Sequence, residues 1–192
     1  NRQRSLIYEQ RRRVLEGESL KDQMIEMLDS IIDRVIVPYT AVSQYSENWD
    51  FDGMLEFMHH VFLPTDYLNI TNEQKENFTV ESLTTLFKDS GHNLYEIKES
   101  QNTEQGGDMR EVERVIRLRV VDQKWMDHID AMDRLRQGVG LRAYGQRDPI
   151  VEYRLEGFDM FDEMINAIQE DSIGMIYRVN IKSNIKQKEV GK

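Results

Sequence analysis

Two apolar stripes at helical spacing, separated by a short glycine- and arginine-rich connection, constrain this chain more than any other feature. Leu118, Val121, Trp125, His128 or Ile129, Met132 and Leu135 recur by threes and fours, which places them on one face of an α-helix. Ile150, Tyr153, Phe158, Phe161, Met164, Ile165, Ile168, Met175, Ile176 and Val179 do the same further on. Asp148 and Pro149 mark the restart: Asp caps the second helix, and Pro takes its first position, where a missing N–H is no loss. Each helix is longer than propensity alone sustains in water, so each needs its stripe buried. The nearest partner for either stripe is the other one. An antiparallel helical hairpin follows, with its tip at about residues 138–148.

The rest of the chain also reads as helical. Residues 2–15 form a charged helix with Leu6, Ile7, Val14 and Leu15 as its apolar contacts, and Gly17 breaks it. Leu20, Met24, Met27, Leu28, Ile31, Ile32, Val35 and Ile36 then define a clear amphipathic helix. Ser19 with Asp22 is expected to cap it, and Pro38 to end it. A helix capped by Ser46 or Asn48 is expected from Trp49 to about Phe62, burying Trp49, Met54, Leu55, Phe57, Met58 and Val61. Another starts near Thr79 with Val80, Leu83, Leu86, Phe87, Leu94 and Ile97, and Gly91 is expected to interrupt it. The polar run Gln101–Gly107 reads as a boundary. After it, Asp108 with Glu111 fits the capping-box spacing for the first hairpin helix. The fold class is all-α.

Composition enters mainly by exclusion. The formal net charge of -10 argues against general nucleic-acid binding, which normally needs a basic face. With no cysteine there is neither a disulfide nor a thiolate metal site, which is compatible with a reducing compartment. Apolar runs are too short to span a bilayer, and no apolar leader follows Asn1-Arg2-Gln3-Arg4. The chain starts within a helical pattern and without Met, so a fragment of a longer protein is expected. A phosphate-cradling glycine-lysine loop and a nucleophile–base pairing are both missing from the sequence. No catalytic residue, cofactor site or metal site is therefore expected here.

The connection itself is the candidate site. Between Arg134 and Arg147 stand four arginines and no acid. Tyr144 lies near the middle, among Leu141, Arg142, Ala143, Gly145, Gln146 and Arg147. A tyrosine offers a large apolar face with one hydroxyl, which suits contact that does not depend on a partner's sequence. Arginines beside it can pair with carboxylates or carbonyl oxygens. On the residues alone a second reading stays open, in which Tyr144 packs on its own hairpin and the arginines are solvated. Elsewhere, Asp122, Asp127, Asp130 and Asp133 with His128 suggest a metal site, but their spacing scatters them around the helix. His59 and His60 are adjacent and point apart. His128 reads as a hydrogen-bonded packing residue, Trp125 as core, and the ten methionines as ordinary packing.

The run Gln123-Lys124-Trp125-Met126-Asp127-His128-Ile129-Asp130-Ala131-Met132-Asp133-Arg134-Leu135-Arg136-Gln137-Gly138 resembles the C-terminal part of the SecA family. Leu141-Arg142-Ala143-Tyr144-Gly145-Gln146-Arg147-Asp148-Pro149 and Glu152-Tyr153 continue the likeness. Asn1-Arg2-Gln3-Arg4, Ile7-Tyr8-Glu9-Gln10-Arg11-Arg12, Pro38-Tyr39 and Trp49-Asp50-Phe51-Asp52-Gly53 extend it toward the N-terminus. The resemblance implies a helical scaffold domain over 1–37 and 108–192, with a small helical wing domain inserted at 38–107. It further implies that the hairpin is a two-helix finger, packed on a scaffold helix. Leu141, Arg142, Ala143, Tyr144, Gly145, Gln146 and Arg147 would then meet the translocating preprotein and the SecYEG channel. ATP and Mg would belong to SecA motor domains outside this chain, whose hydrolysis the finger restrains. The implied location is the cytoplasm, with peripheral attachment to the inner face of the bacterial membrane through the channel. A different class of function, a self-standing helical interaction module, remains the alternative.

Overall fold

A computed structural model describes residues 1–17, 19–142 and 148–179, and among them every regular element is helical. In chain order these are α1 (Arg2–Glu16), α2 (Leu20–Thr40), a 3-10 turn (Ser46–Asn48), α3 (Phe51–Val61), α4 (Asn72–Lys75), α5 (Val80–Glu104), α6 (Met109–Arg142) and α7 (Pro149–Arg178). The long helices α6 and α7 form the antiparallel hairpin. Helix α2 lies beneath it and meets α5, α7, α6 and α3. Its Met24, Leu28, Ile31, Ile32 and Ile36 are fully buried and face Met54 and Met58 of α3, Leu83 and Phe87 of α5, and Ile168, Ile173 and Ile176 of α7. The core is one continuous cluster.

Helix boundaries follow capping chemistry more than apolar pattern. Gly17 ends α1 in a left-handed conformation, φ 70°, with its N–H on the Val14 carbonyl. Only Ile7 and Val14 of α1 are buried; Leu6 and Leu15, expected as contacts, face outward. Ser19 does precede α2, but with φ 53° and without a side-chain cap, so the expected capping box with Asp22 does not form. Pro38 does not end α2, which continues to Thr40. The proline removes the one N–H that would bond the carbonyl four residues back, and the helix is continued by the bonds that follow it. Thr40 Oγ1 donates to the Ile36 carbonyl (3.0 Å), and the Ala41 N–H reaches Val37 (3.0 Å).

The cap of α3 is Asp50, which accepts from Gly53 N, and not Ser46 or Asn48, which sit in the preceding 3-10 turn. Trp49 is buried ahead of the helix, its indole N–H on the Ser43 carbonyl at 2.7 Å. Thr79 and Ser82 form a reciprocal capping box that starts α5. At the start of α6, Asp108 accepts from Arg110 N, while Glu111 turns forward to pair with Arg114, so Asp108 caps the helix without the expected box.

Gly91 does not interrupt α5, which runs unbroken for 25 residues. Its missing side chain is a packing requirement. A Cβ at this position would lie 2.5 Å from Leu28 Cδ2 and 3.3 Å from Phe62 Cε2. The bare backbone also accepts the Tyr177 hydroxyl at 2.7 Å, tying α5 to α7. One glycine thus admits α2, the end of α3, and α7 to the same spot.

A buried polar network joins α5 to α6. Glu113 is 0 % exposed and accepts from the Tyr95 hydroxyl and from Arg110 (3.1 Å). Arg110 also reaches Tyr95 Oη (2.8 Å) and Glu99, and Glu99 and Glu96 hold Lys21 of α2. Burial pushes the Glu113 carboxyl up, while Tyr95 and Arg110 pull it down; the net direction is upward.

Gly91→Ala is expected to destabilise the protein by about 1–3 kcal/mol, although alanine is the better helix former. Gly138→Ala, where a Cβ meets nothing within 4 Å, is expected to have the opposite sign, stabilising by up to about 1 kcal/mol. Urea unfolding of both variants tests this reversal; equal signs would show that helix propensity, not packing, governs position 91.

Candidate functional site

The hairpin is anchored at its base by polar contacts. Gln3 of α1 holds both arms at one level. Its amide nitrogen donates to the Gly157 carbonyl on α7 (3.2 Å), and its amide oxygen accepts from His128 Nε2 on α6 (2.9 Å). At Gly157 an added Cβ would come within 2.8 Å of Met132 Cε, so the absent side chain sets how closely the arms approach. Arg11 of α1 pairs with Asp122 (3.0 Å), and Lys124 of α6 pairs across the hairpin with Asp171 of α7 (2.9 Å). His128 is 5 % exposed, with Trp125 and Phe161 at ring-centroid distances of 5.5 and 5.8 Å. Trp125 is half-buried against the core rather than fully inside it. A cleft of about 200 Å³ opens beside this base, between Gln3, Trp125, His128 and Tyr153.

Toward the tip the seam narrows to Leu135 and Val139, the last buried apolar residues of α6. Beyond it the hairpin turns apolar residues outward. Leu141 is 78 % exposed, and Ile150, Val151, Leu155 and Phe158 (60 %) are exposed along the first turns of α7. Val151, Leu155 and Phe158 are spaced as one helical stripe. Ile150 and Phe158, expected in the hairpin seam, therefore lie outside it, and so does Ile129 of α6. The reason is geometric: an inter-helix seam admits a narrower stripe than the apolar positions provide. Arg134 and Arg136 are also exposed; Arg136 pairs with Asp133 (3.3 Å) in open solvent, a contact of little energetic weight.

Of the expected site residues, the structure places Leu141 on the exposed last turn of α6 and brings the backbone of Arg142 to the helix end. Ala143, Tyr144, Gly145, Gln146 and Arg147 lie outside the described residues. Asp148 caps α7 as expected, accepting from Ile150 N at 3.0 Å, with Pro149 in the first helical position. Three of the four aspartates of α6 are engaged separately: Asp122 by Arg11, Asp127 by Gln123, Asp133 by Arg136. Among the described residues no group of three or more metal-ligating side chains converges. His59 Nδ1 bonds the Leu63 carbonyl (2.9 Å), and the main-chain carbonyl of His60 accepts from Arg178. The clamp residue Gln3 and the close-approach Gly157 carry no periodic signal. Only an unexplained glycine within a strongly helical stretch hinted at either.

Burial holds the His128 imidazole below its ordinary value of 6.5. As pH falls through 6.5 the unfolded chain takes up a proton that the folded chain resists, so the folded state loses stability on acidification from that pH down to the lower folded value. The melting-temperature advantage of wild type over His128→Gln is expected to be full at about pH 7.5 and to shrink by about pH 5.5. A difference that stays constant across this range would mean that the imidazole titrates as in the unfolded chain.

Comparison with known proteins adds a further finding. The family described as SecA Wing and Scaffold domain matches residues 1–180. The protein translocase subunit SecA 1 of Alkaliphilus metalliredigens is 45% identical over 192 residues, covering 100% of this chain and 21% of that protein. The SecA subunit of Pelotomaculum thermopropionicum is 45% identical over 190 residues, 98% of this chain and 21% of its own length. That of Caldicellulosiruptor saccharolyticus is 45% identical over 192 residues, 100% and 22%. The chain thus spans about one-fifth of the length of the curated relatives it matches.

Proposed function

This chain belongs to the SecA family, through that family's wing and scaffold domain, and from that premise we propose that it is the non-catalytic lever of a protein-translocation motor. In this reading residues 1–37 and 108–192 make the helical scaffold domain, 38–107 the helical wing domain, and α6 with α7 the two-helix finger. The fingertip, Leu141 to Arg147, meets the preprotein and the SecYEG channel. ATP and Mg act in SecA motor domains outside this chain, and the finger transmits channel and substrate engagement to them. Contact with the membrane is peripheral, through the channel. No helix among the described residues is long and apolar enough to cross a membrane.

The observation that carries the reading is mechanical: a hairpin clamped at Gln3, Asp122 and Asp171 whose outer end exposes Leu141, Ile150, Val151, Leu155 and Phe158. A translocase handles many sequences, so it cannot rely on a fixed hydrogen-bond code. Apolar surface is non-directional and grips any chain weakly. Tyr144 adds a face that tolerates many partners, and the arginines of the connection add charge-assisted bonds to whatever carbonyl or carboxylate is presented. A rigid base turns such weak contacts at the tip into a displacement of the whole hairpin.

A single cysteine placed at 144 in the full-length protein tests the contact, because this region contributes no cysteine of its own. Nucleotide-sensitive crosslinks to a stalled preprotein are the expected result; their absence in an active motor would return the hairpin to scaffolding. Tyr144→Ala is expected to leave the melting temperature of the isolated chain unchanged. Trp125→Ala, which removes packing at the hairpin base, is expected to destabilise it by about 2 kcal/mol or more. The isolated chain is also expected to show no stoichiometric ATP binding by calorimetry.

A further inference from the structure

Arg117 lies on α6 beneath α1 and α2, with its side chain 6 % exposed. Its Nη1 donates to the Gln23 amide oxygen, a neutral acceptor, and its Nε has no partner among the described residues. Two other arginines of the same helix have carboxylate partners, Arg110 with Glu99 and Glu113 and Arg114 with Glu111, while Arg119 is exposed to solvent. Arg117 makes no ion pair within 4 Å among the described residues; Glu113, one turn back on α6, offsets its charge only in part, and Arg13 of α1 adds a second positive charge nearby. A guanidinium stays protonated, so burial leaves it charged and incompletely compensated. Such an arrangement is unfavourable unless an anion completes it.

Space for that anion exists. A cleft of about 310 Å³ opens between α1, α2, α6 and α7, and its lining combines Arg13, Arg117, Gln23 and Glu26 with Met27, Ile165 and Ile168. We propose that this cleft is a carboxylate-binding site, in which Arg117 and Arg13 hold the oxygens and the Met27–Ile165–Ile168 wall covers the methylenes that carry them. The planar fork of a guanidinium matches the two oxygens of a carboxylate. Glu26, also on the lining, opposes a second negative charge and so selects a monoanion over a phosphate dianion. The apolar wall selects a carboxylate on a short aliphatic stem over a bare inorganic anion. An acidic side chain of a polypeptide and a free aliphatic carboxylate share this chemistry. The proposal concerns the base of the bundle and does not depend on the role of the fingertip.

The test follows the Arg117 Nε–H resonance and the melting temperature of this chain at constant ionic strength. The probes are butyrate, a blocked Ala-Glu-Ala peptide, phosphate and chloride. A saturable shift with butyrate or the peptide, and a higher melting temperature at saturation, are expected. Arg13→Gln, a substitution at an exposed position, is expected to weaken binding by about tenfold or more, and Arg117→Met to abolish the ligand-induced rise in melting temperature. Should Arg117→Met fail to fold, Arg13→Gln decides alone. Tighter binding of the peptide assigns the site to an acidic side chain; equal or tighter binding of butyrate assigns it to a free carboxylate. No saturable response to either, an affinity unchanged in Arg13→Gln, or a preference for phosphate overturns the proposal.

Discussion

Burial of the apolar stripe of α2 is the constraint on which the rest of the molecule depends. Met24, Leu28, Ile31, Ile32 and Ile36 stand on one side of a single helix, and helices α3, α5, α6 and α7 all meet on or beside it. None of those helices would persist alone, since propensity does not hold isolated helices in water. Each instead gains the burial of its own stripe against a surface already present. The two polar devices of the interior are attached to the same axis. Lys21, one turn before Met24, links α2 to the Glu113–Tyr95–Arg110 network, and Gly91 sits directly over Leu28.

Against this base the hairpin behaves as a beam supported at one end. At about 1.5 Å rise per residue, α6 is on the order of 50 Å long, and its fixings lie in its first two-thirds. Arg11 holds Asp122, Lys124 holds Asp171, and Gln3 holds His128 together with Gly157. Beyond Met132 the described part of α6 buries Leu135 and Val139. Helix α1 carries two of the three fixings on one face. It is therefore the element whose displacement would be felt at once by both arms.

How much of this the sequence disclosed depends on the physical origin of each feature. The hairpin, its restart at Asp148-Pro149, and the helix starting after Thr79 rest on periodicity and local capping, which are properties of neighbouring residues, and all were legible. Pro38 and Gly91 were both misread from intrinsic propensity. Pro38 lies within α2, which the bonds of Thr40 and Ala41 continue past it, and Gly91 is required by atoms of Leu28 and Phe62 distant in sequence. At position 91 tertiary packing overrides propensity. Ile150 and Phe158 were assigned to the seam because periodicity reveals a stripe without its width. The clamp at Gln3 and the buried carboxyl of Glu113 are long-range polar contacts, and no local pattern encodes them. The apex of the candidate site, Ala143 to Arg147, was marked by its residue types alone.

Charge placement follows the same division between base and tip. The chain is acidic overall, yet its arginines are not spread evenly over it. Of those on α6 near the base, Arg110 and Arg114 pair with carboxylates, Arg117 is buried beside a neutral amide, and Arg119 is exposed. Those toward the tip, Arg134 and Arg136, are exposed, and the one described ion pair among them, Arg136 with Asp133, is too solvated to hold the side chain in place. An exposed guanidinium without a fixed partner keeps its rotamer freedom until another molecule supplies an acceptor, and ordering it then has an entropic cost. Under the proposed role that cost is an advantage. It keeps each contact weak and reversible, so a polypeptide can be touched at the tip without being held there, while the base remains rigid enough to register that it was touched.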